Sequence, residues 1–123
     1  MGRQRSSEPA KSRTLPPAAL HVLLAIGPSE RHGYAIMGEV KRITGGAVRM
    51  GPGTLYGTLK RLLADGLIEE SSERRDGERD DRRRRYYRLT ALGRAVAASE
   101  VEGLQSLLRR SGARKWGLRR EAS

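Results

Sequence analysis

The stretch Met50–Glu70, MGPGTLYGTLKRLLADGLIEE, constrains this chain more than any other. Pro52 suits the first turn of a helix, where its missing N–H has no intrahelical partner to lose. Leu55, Leu59, Leu62 and Leu63 then recur at helical spacing and form one apolar stripe. Gly66 reads as the C-cap. Straight after it the pattern turns short and β-compatible, in LIEESSE. The segment is thus a helix with a sharp start and stop, one buried face, and a strand directly behind it.

Three glycines crowd its start: Gly51, Gly53 and Gly57. A Walker loop follows its glycines with Lys and Ser/Thr, which this chain does not do. A Rossmann turn needs a preceding strand and a spacing that these glycines miss. The remaining reading is a helix N-terminus whose free N–H groups and positive dipole end suit a DNA phosphate or close approach to a groove.

The flanks complete the order of elements. Pro16 and Pro17 open a first helix, with Leu20, Leu23, Leu24 and Ile26 on its buried face and Gly27-Pro28 at its end. Ile36, Val40 and Ile43, with Met37 beside them, give a second helix that stops at Gly45-Gly46. After LIEESSE, the charged run RRDGERDDRRR is too polar to pack, and RYYRLT reads as a second strand. A last helix starts near Thr90 as N-cap and runs to about Arg110. Its apolar residues Ala97, Val101, Leu104 and Leu108 recur with helical spacing; Leu92 and Val96 lead into that face and Leu107 widens it.

The fold class is therefore mainly α with a small β-hairpin: a winged helix-turn-helix domain plus a C-terminal dimerisation helix. In that architecture the third helix enters the DNA major groove. The expected organisation is a disordered basic arm over 1–14, the winged helix over 15–90, the dimerisation helix over 91–111 and a basic tail over 112–123. The domain already has its own core, so the stripe on the last helix needs a partner surface.

Charge supports a polyanion partner. The net charge is +11, and the basic residues are almost all Arg. Several phosphate contacts would lower affinity on the order of a thousandfold between 50 and 200 mM salt. The chain has no Cys and two isolated histidines, His21 and His32, so no metal site and no cofactor is expected. His21 reads as a partly buried helix residue and His32 as a cap or turn residue. No nucleophile, base and orienting group form a catalytic set, so the chain is not expected to be an enzyme. No apolar run nears the roughly 18 residues of a membrane span, and a cytoplasmic protein is expected.

With these elements in order, the chain resembles the PadR family of bacterial transcriptional regulators. The matching pieces are HGYAI at 32–36, GPGTLYGTLKRLLADGLIE at 51–69 and RRRYYRLTALGR at 83–94, and the resemblance covers about 15–110. It implies a homodimeric repressor on double-stranded DNA, paired through the C-terminal helix at Ala97, Val101, Leu104 and Leu108. It also implies that some relatives respond to small molecules, such as phenolic acids or drugs, bound near the dimer interface. By position, Tyr34 would touch the backbone, Thr54 and Tyr56 would face the groove, and Arg82, Arg83, Arg84 and Arg85 of the wing would reach flanking phosphates or the minor groove. Gly53, Lys60 and Arg61 complete the DNA-binding set on the third helix. The alternatives for Thr54 and Tyr56 are a helix cap and a packing residue.

Two departures stand out. Gly57 occupies a place where many relatives have Pro, and Asp76, Glu78, Asp80 and Asp81 interrupt the wing arginines. Trp116 is open between an interface, a ligand pocket and an exposed tail. The competing functional reading is a basic nucleic-acid-associated structural protein that binds without sequence preference.

Overall fold

The structure, a computed structural model, describes residues 15–71 and 85–117. The expectations for the arm at 1–14, for Arg82, Arg83 and Arg84, for the wing carboxylates and for the tail beyond 117 lie outside these residues.

Helix α1 spans Pro17–Ile26, with Pro16 as N-cap and Pro17 in its first turn. A two-residue strand β1, Arg31–His32, leads into α2, Gly33–Ile43. The recognition-helix candidate α3 spans Pro52–Ala64. Strands β2 (Ile68–Ser71) and β3 (Tyr86–Leu89) follow, then the long helix α4 (Ala91–Ser111) and a single 3-10 turn, Ala113–Trp116.

The anticipated antiparallel pair is present, with Ile68 opposite Leu89 and Glu69 opposite Arg88. The sheet has a third strand that the sequence did not announce. Its order is β1-β3-β2, and Arg31 pairs with Tyr87 while His32 pairs with Tyr86. The expected hairpin is present and is extended by β1 to a three-stranded sheet. The free edge of β3 offers unpaired N–H and C=O groups, and the segment before α2 takes them up.

The core is aliphatic, as the near absence of aromatic residues requires. Leu23, Ile26, Ile36, Leu55, Leu59, Leu62, Val22 and Val40 are fully buried. Each such side chain contributes about 1.5–3 kcal/mol relative to exposure. The α3 stripe lies as its spacing predicts, with Leu63 only half-buried at its flank. On α1 the face is rotated: Val22 is buried and Leu24 is exposed. This helix is apolar on nearly all sides, so spacing alone does not choose its inner face. Ile43, at the last position of α2, is also exposed.

Candidate nucleic-acid interface

Helices α2 and α3 and the turn between them form a helix-turn-helix. His32 caps α2: the Ala35 backbone N–H donates to its Nδ1 at 3.3 Å. The same imidazole meets Tyr86 of β3 edge-on, with centroids 5.4 Å apart, so one side chain ties the helix start to the wing. At the other end, Gly45 and Gly46 adopt left-handed φ of 64° and 86° and turn the chain back. Thr44 Oγ1 donates to the Val40 carbonyl at 2.8 Å and accepts from the Val48 N–H at 3.1 Å, which fixes that turn.

Helix α3 presents one outer face. Gly53, Gly57, Lys60, Arg61 and Ala64 are all exposed and fall at helical spacing on the side opposite the Leu stripe. Thr54 is exposed beside them. Gly51 is the N-cap and makes no side-chain cap bond, so the Thr54 hydroxyl is not used to start the helix. A β-carbon at Gly51, Gly53 or Gly57 would meet nothing within 4 Å, and none of the three has a left-handed φ. These glycines therefore form no tight phosphate cradle. They make the first two turns of α3 slender on the solvent side.

The charges on this surface differ in availability. Lys60 has no ion-pair partner among the described residues, while Arg61 lies 3.8 Å from Asp65. Arg49, exposed in the segment leading into α3, is likewise unpaired among the described residues. Sequence reading passed over Arg49; its only signal was a cation just ahead of the Gly-Pro start. Arg42 on α2 is occupied: its Nε donates to Glu39 Oε1 at 3.1 Å. Hydrogen bonding from Arg42 holds the Glu39 carboxyl below the usual range against an opposing effect of burial, with the charges of Arg42 and Arg31 adding to the lowering.

Tyr34 is exposed at the start of α2, where a contact to a DNA backbone is open to it. Tyr56 is not similarly placed. It is half-buried against the core, and its hydroxyl is enclosed with no hydrogen-bond partner. The groove-facing position expected for Tyr56 is therefore replaced by an inward one. The ring flanks the Leu stripe, and its hydroxyl points at the backbone of Gly33.

In the wing, Arg85 Nη1 lies 3.0 Å from Glu70 Oε2 and Arg88 Nε lies 2.8 Å from Glu69 Oε2. Glu30, from the segment before β1, accepts a 2.9 Å hydrogen bond from Ser71 Oγ and sits 3.8 Å from Arg88. Carboxylates on β2 thus partner Arg88 of β3 and Arg85 just before it, ahead of any external anion.

The C-terminal helix starts at Thr90, whose hydroxyl accepts the Gly93 N–H at 2.9 Å. Ala97 is buried against the domain core and Val101 is half-buried. Farther along, Leu104 is 51% exposed, Leu107 62% and Leu108 40%. Trp116 is exposed at the end of the 3-10 turn. Among the described residues no group of His, Asp and Glu has metal-binding proximity, and no helix is long and apolar enough to cross a membrane.

A helix-turn-helix followed by the β2–β3 wing, with a basic outer face on α3, defines a DNA-binding regulator of the winged-helix class. The chain belongs to the PadR-like family of transcriptional regulators, whose family model matches residues 22–99. It is 40% identical over 90 residues to the transcriptional regulator Rv3488 of Mycobacterium tuberculosis, covering 73% of this chain and 78% of that protein. Its fold is similar to that of a PadR-like transcription factor from Bacteroides fragilis, with a TM-score of 0.63 at 21% identity over 86% of this chain and 93% of that one. RosR of Halobacterium salinarum is similar at 28% identity and a TM-score of 0.59, covering 80% of this chain and 79% of that one. Members of this family are DNA-binding regulators and not enzymes.

Proposed function

We propose that this chain is a sequence-specific repressor that binds a palindromic operator as a homodimer. The observation that carries the reading is the outer face of α3, slender at Gly53, Thr54 and Gly57 and basic at Lys60 and Arg61. A slender first half lets the helix sink toward base edges, and the cations behind it meet the phosphates. Tyr34 and Arg49 extend the phosphate-facing set on either side of the turn. The basic run Arg82, Arg83 and Arg84, outside the described residues, adds to the proposed set by charge.

The exposed apolar residues of α4 support pairing with a second copy. Leu104, Leu107 and Leu108 lie on one side of a helix that the domain core covers only as far as Ala97 and Val101. Two α3 helices held about one DNA turn apart, roughly 34 Å, read the two half-sites. Occupying a promoter excludes polymerase, in the cytoplasm where the DNA lies. A small molecule bound near the α4 pairing surface releases DNA by changing that separation.

In vitro selection from random duplexes tests the reading. The expected result is an enriched inverted repeat whose half-sites are about one turn apart. Enrichment of no motif, with tight binding to every duplex, replaces it with the charge-only reading that the net charge of +11 favours.

A further inference from the structure

The start of α4 is fastened to the turn after α3 by close backbone approach and by one side-chain hydroxyl. Helix α3 ends in a left-handed turn at Gly66, φ 73°, and the Leu67 N–H donates back to the Leu62 carbonyl at 3.0 Å. The Leu67 carbonyl in turn accepts the Thr90 N–H at 3.1 Å. Thr90 Oγ1 donates to the Gly66 carbonyl at 2.7 Å and accepts from the Gly93 N–H at 2.9 Å. One hydroxyl therefore caps α4 and holds the turn that follows α3 at the same time.

Gly93 closes this joint. It is buried and does not have a left-handed φ, so conformational freedom does not explain a glycine there. Close approach does: a β-carbon at 93 would overlap the Leu67 carbonyl oxygen and stand 2.9 Å from its carbonyl carbon. Both are backbone atoms already held by the hydrogen bonds above, so they cannot swing aside as a side chain can.

We infer that Thr90 and Gly93 are positioning residues for DNA recognition: they fix the angle between α3 and α4, so that pairing of α4 sets one separation between two recognition helices. The inference rests on the dimer reading above. It assigns half-site spacing to a joint remote from the outer face of α3. Thr90 and Gly93 act through the Gly66–Leu67 turn that joins α3 to β2.

The test uses the full chain and the operator it selects, alongside duplexes with one base pair inserted between the half-sites and a duplex with a single half-site. For the wild type, the insertion weakens binding about tenfold or more, comparable to losing one base pair's contacts. Thr90→Asp separates the two roles of the hydroxyl. Asp still caps a helix N-terminus, but its carboxylate has no proton to donate to the Gly66 carbonyl. The expected outcome is a dimer by sedimentation, with wild-type circular dichroism and a much smaller ratio between native and inserted spacing. The added negative charge weakens both duplexes alike and leaves that ratio clean. Thr90→Ser keeps the donor and restores the wild-type ratio.

A folded, dimeric Thr90→Asp variant with the full wild-type ratio overturns the joint and leaves the dimer reading standing. A monomeric wild type overturns the dimer reading, and the inference with it.

Discussion

The hydroxyl of Tyr56 fills the space that a β-carbon on residue 33 would occupy. Gly33 is the first residue of α2 and Tyr56 sits in the second turn of α3, so this contact sets how closely the two helices of the helix-turn-helix approach. Its hydroxyl is enclosed without a partner, which makes it a spacer and not a reader of bases.

The contact predicts an unusual double-mutant cycle. Gly33→Ala overpacks the seam and costs about 1–3 kcal/mol. Tyr56→Phe is close to neutral or stabilising, because it removes an enclosed polar atom that has no partner. In the Tyr56→Phe background the cost of Gly33→Ala shrinks, since the nearest clashing atom is gone. Urea denaturation of the four proteins measures this. Additive costs would show that the two residues do not touch.

The outer face of α3 predicts a split between specificity and affinity. Thr54→Ala weakens the cognate duplex by about 1–3 kcal/mol and leaves random duplex unchanged. Lys60→Ala weakens both and lowers the salt slope by about one. Anisotropy titrations over a salt series read both quantities. Equal loss on cognate and random DNA for Thr54→Ala would remove that residue from base reading.

In the wing, the expected electrostatic change runs opposite to simple loss. Glu70→Gln frees Arg85 from its 3.0 Å partner, so random-duplex affinity rises and the salt slope steepens. Both side chains are partly exposed, so fold stability changes by less than about 1 kcal/mol. Competition binding against bulk DNA, together with a thermal melt, checks the pair. Unchanged affinity at low salt would show that Arg85 faces no phosphate.

The C-terminal helix predicts loss of assembly without loss of fold. Leu104 is 51% exposed in the single chain, so Leu104→Glu removes little packing from the domain. It places a charge in the apolar pairing surface and shifts the protein to monomer by sedimentation, with circular dichroism preserved. A variant that remains fully dimeric would move the pairing surface elsewhere.

Much of this architecture was legible in the chain, for reasons that differ by element. Helix α3 was readable because Pro52, a four-residue leucine stripe and Gly66 agree on start, face and stop. Thr90 announced α4 in the same way. Strand β1 was not readable, since two residues carry no period and Arg31-His32 becomes a strand only by pairing with β3. Tyr56 lies at the flank of the leucine stripe, where helical spacing does not decide between groove and interior; the missing β-carbon of Gly33 decides it. The ion pair of Arg85 needed the geometry of the wing, which brings Glu70 to its guanidinium. The joint at Gly93 was hidden because a glycine inside a helical pattern looks like a defect until the backbone it admits is seen.

The central claim is that two copies of this chain read one DNA sequence through α3. The most direct measurement is a fluorescence-anisotropy titration of the purified protein against its selected duplex and a scrambled duplex, at two salt concentrations, with stoichiometry. A dimeric reader of one sequence shows a preference of about a hundredfold or more, well within the usual specific-to-random range, and saturates at two chains per site. Equal affinity for both duplexes at both salts, at any stoichiometry, would contradict the claim.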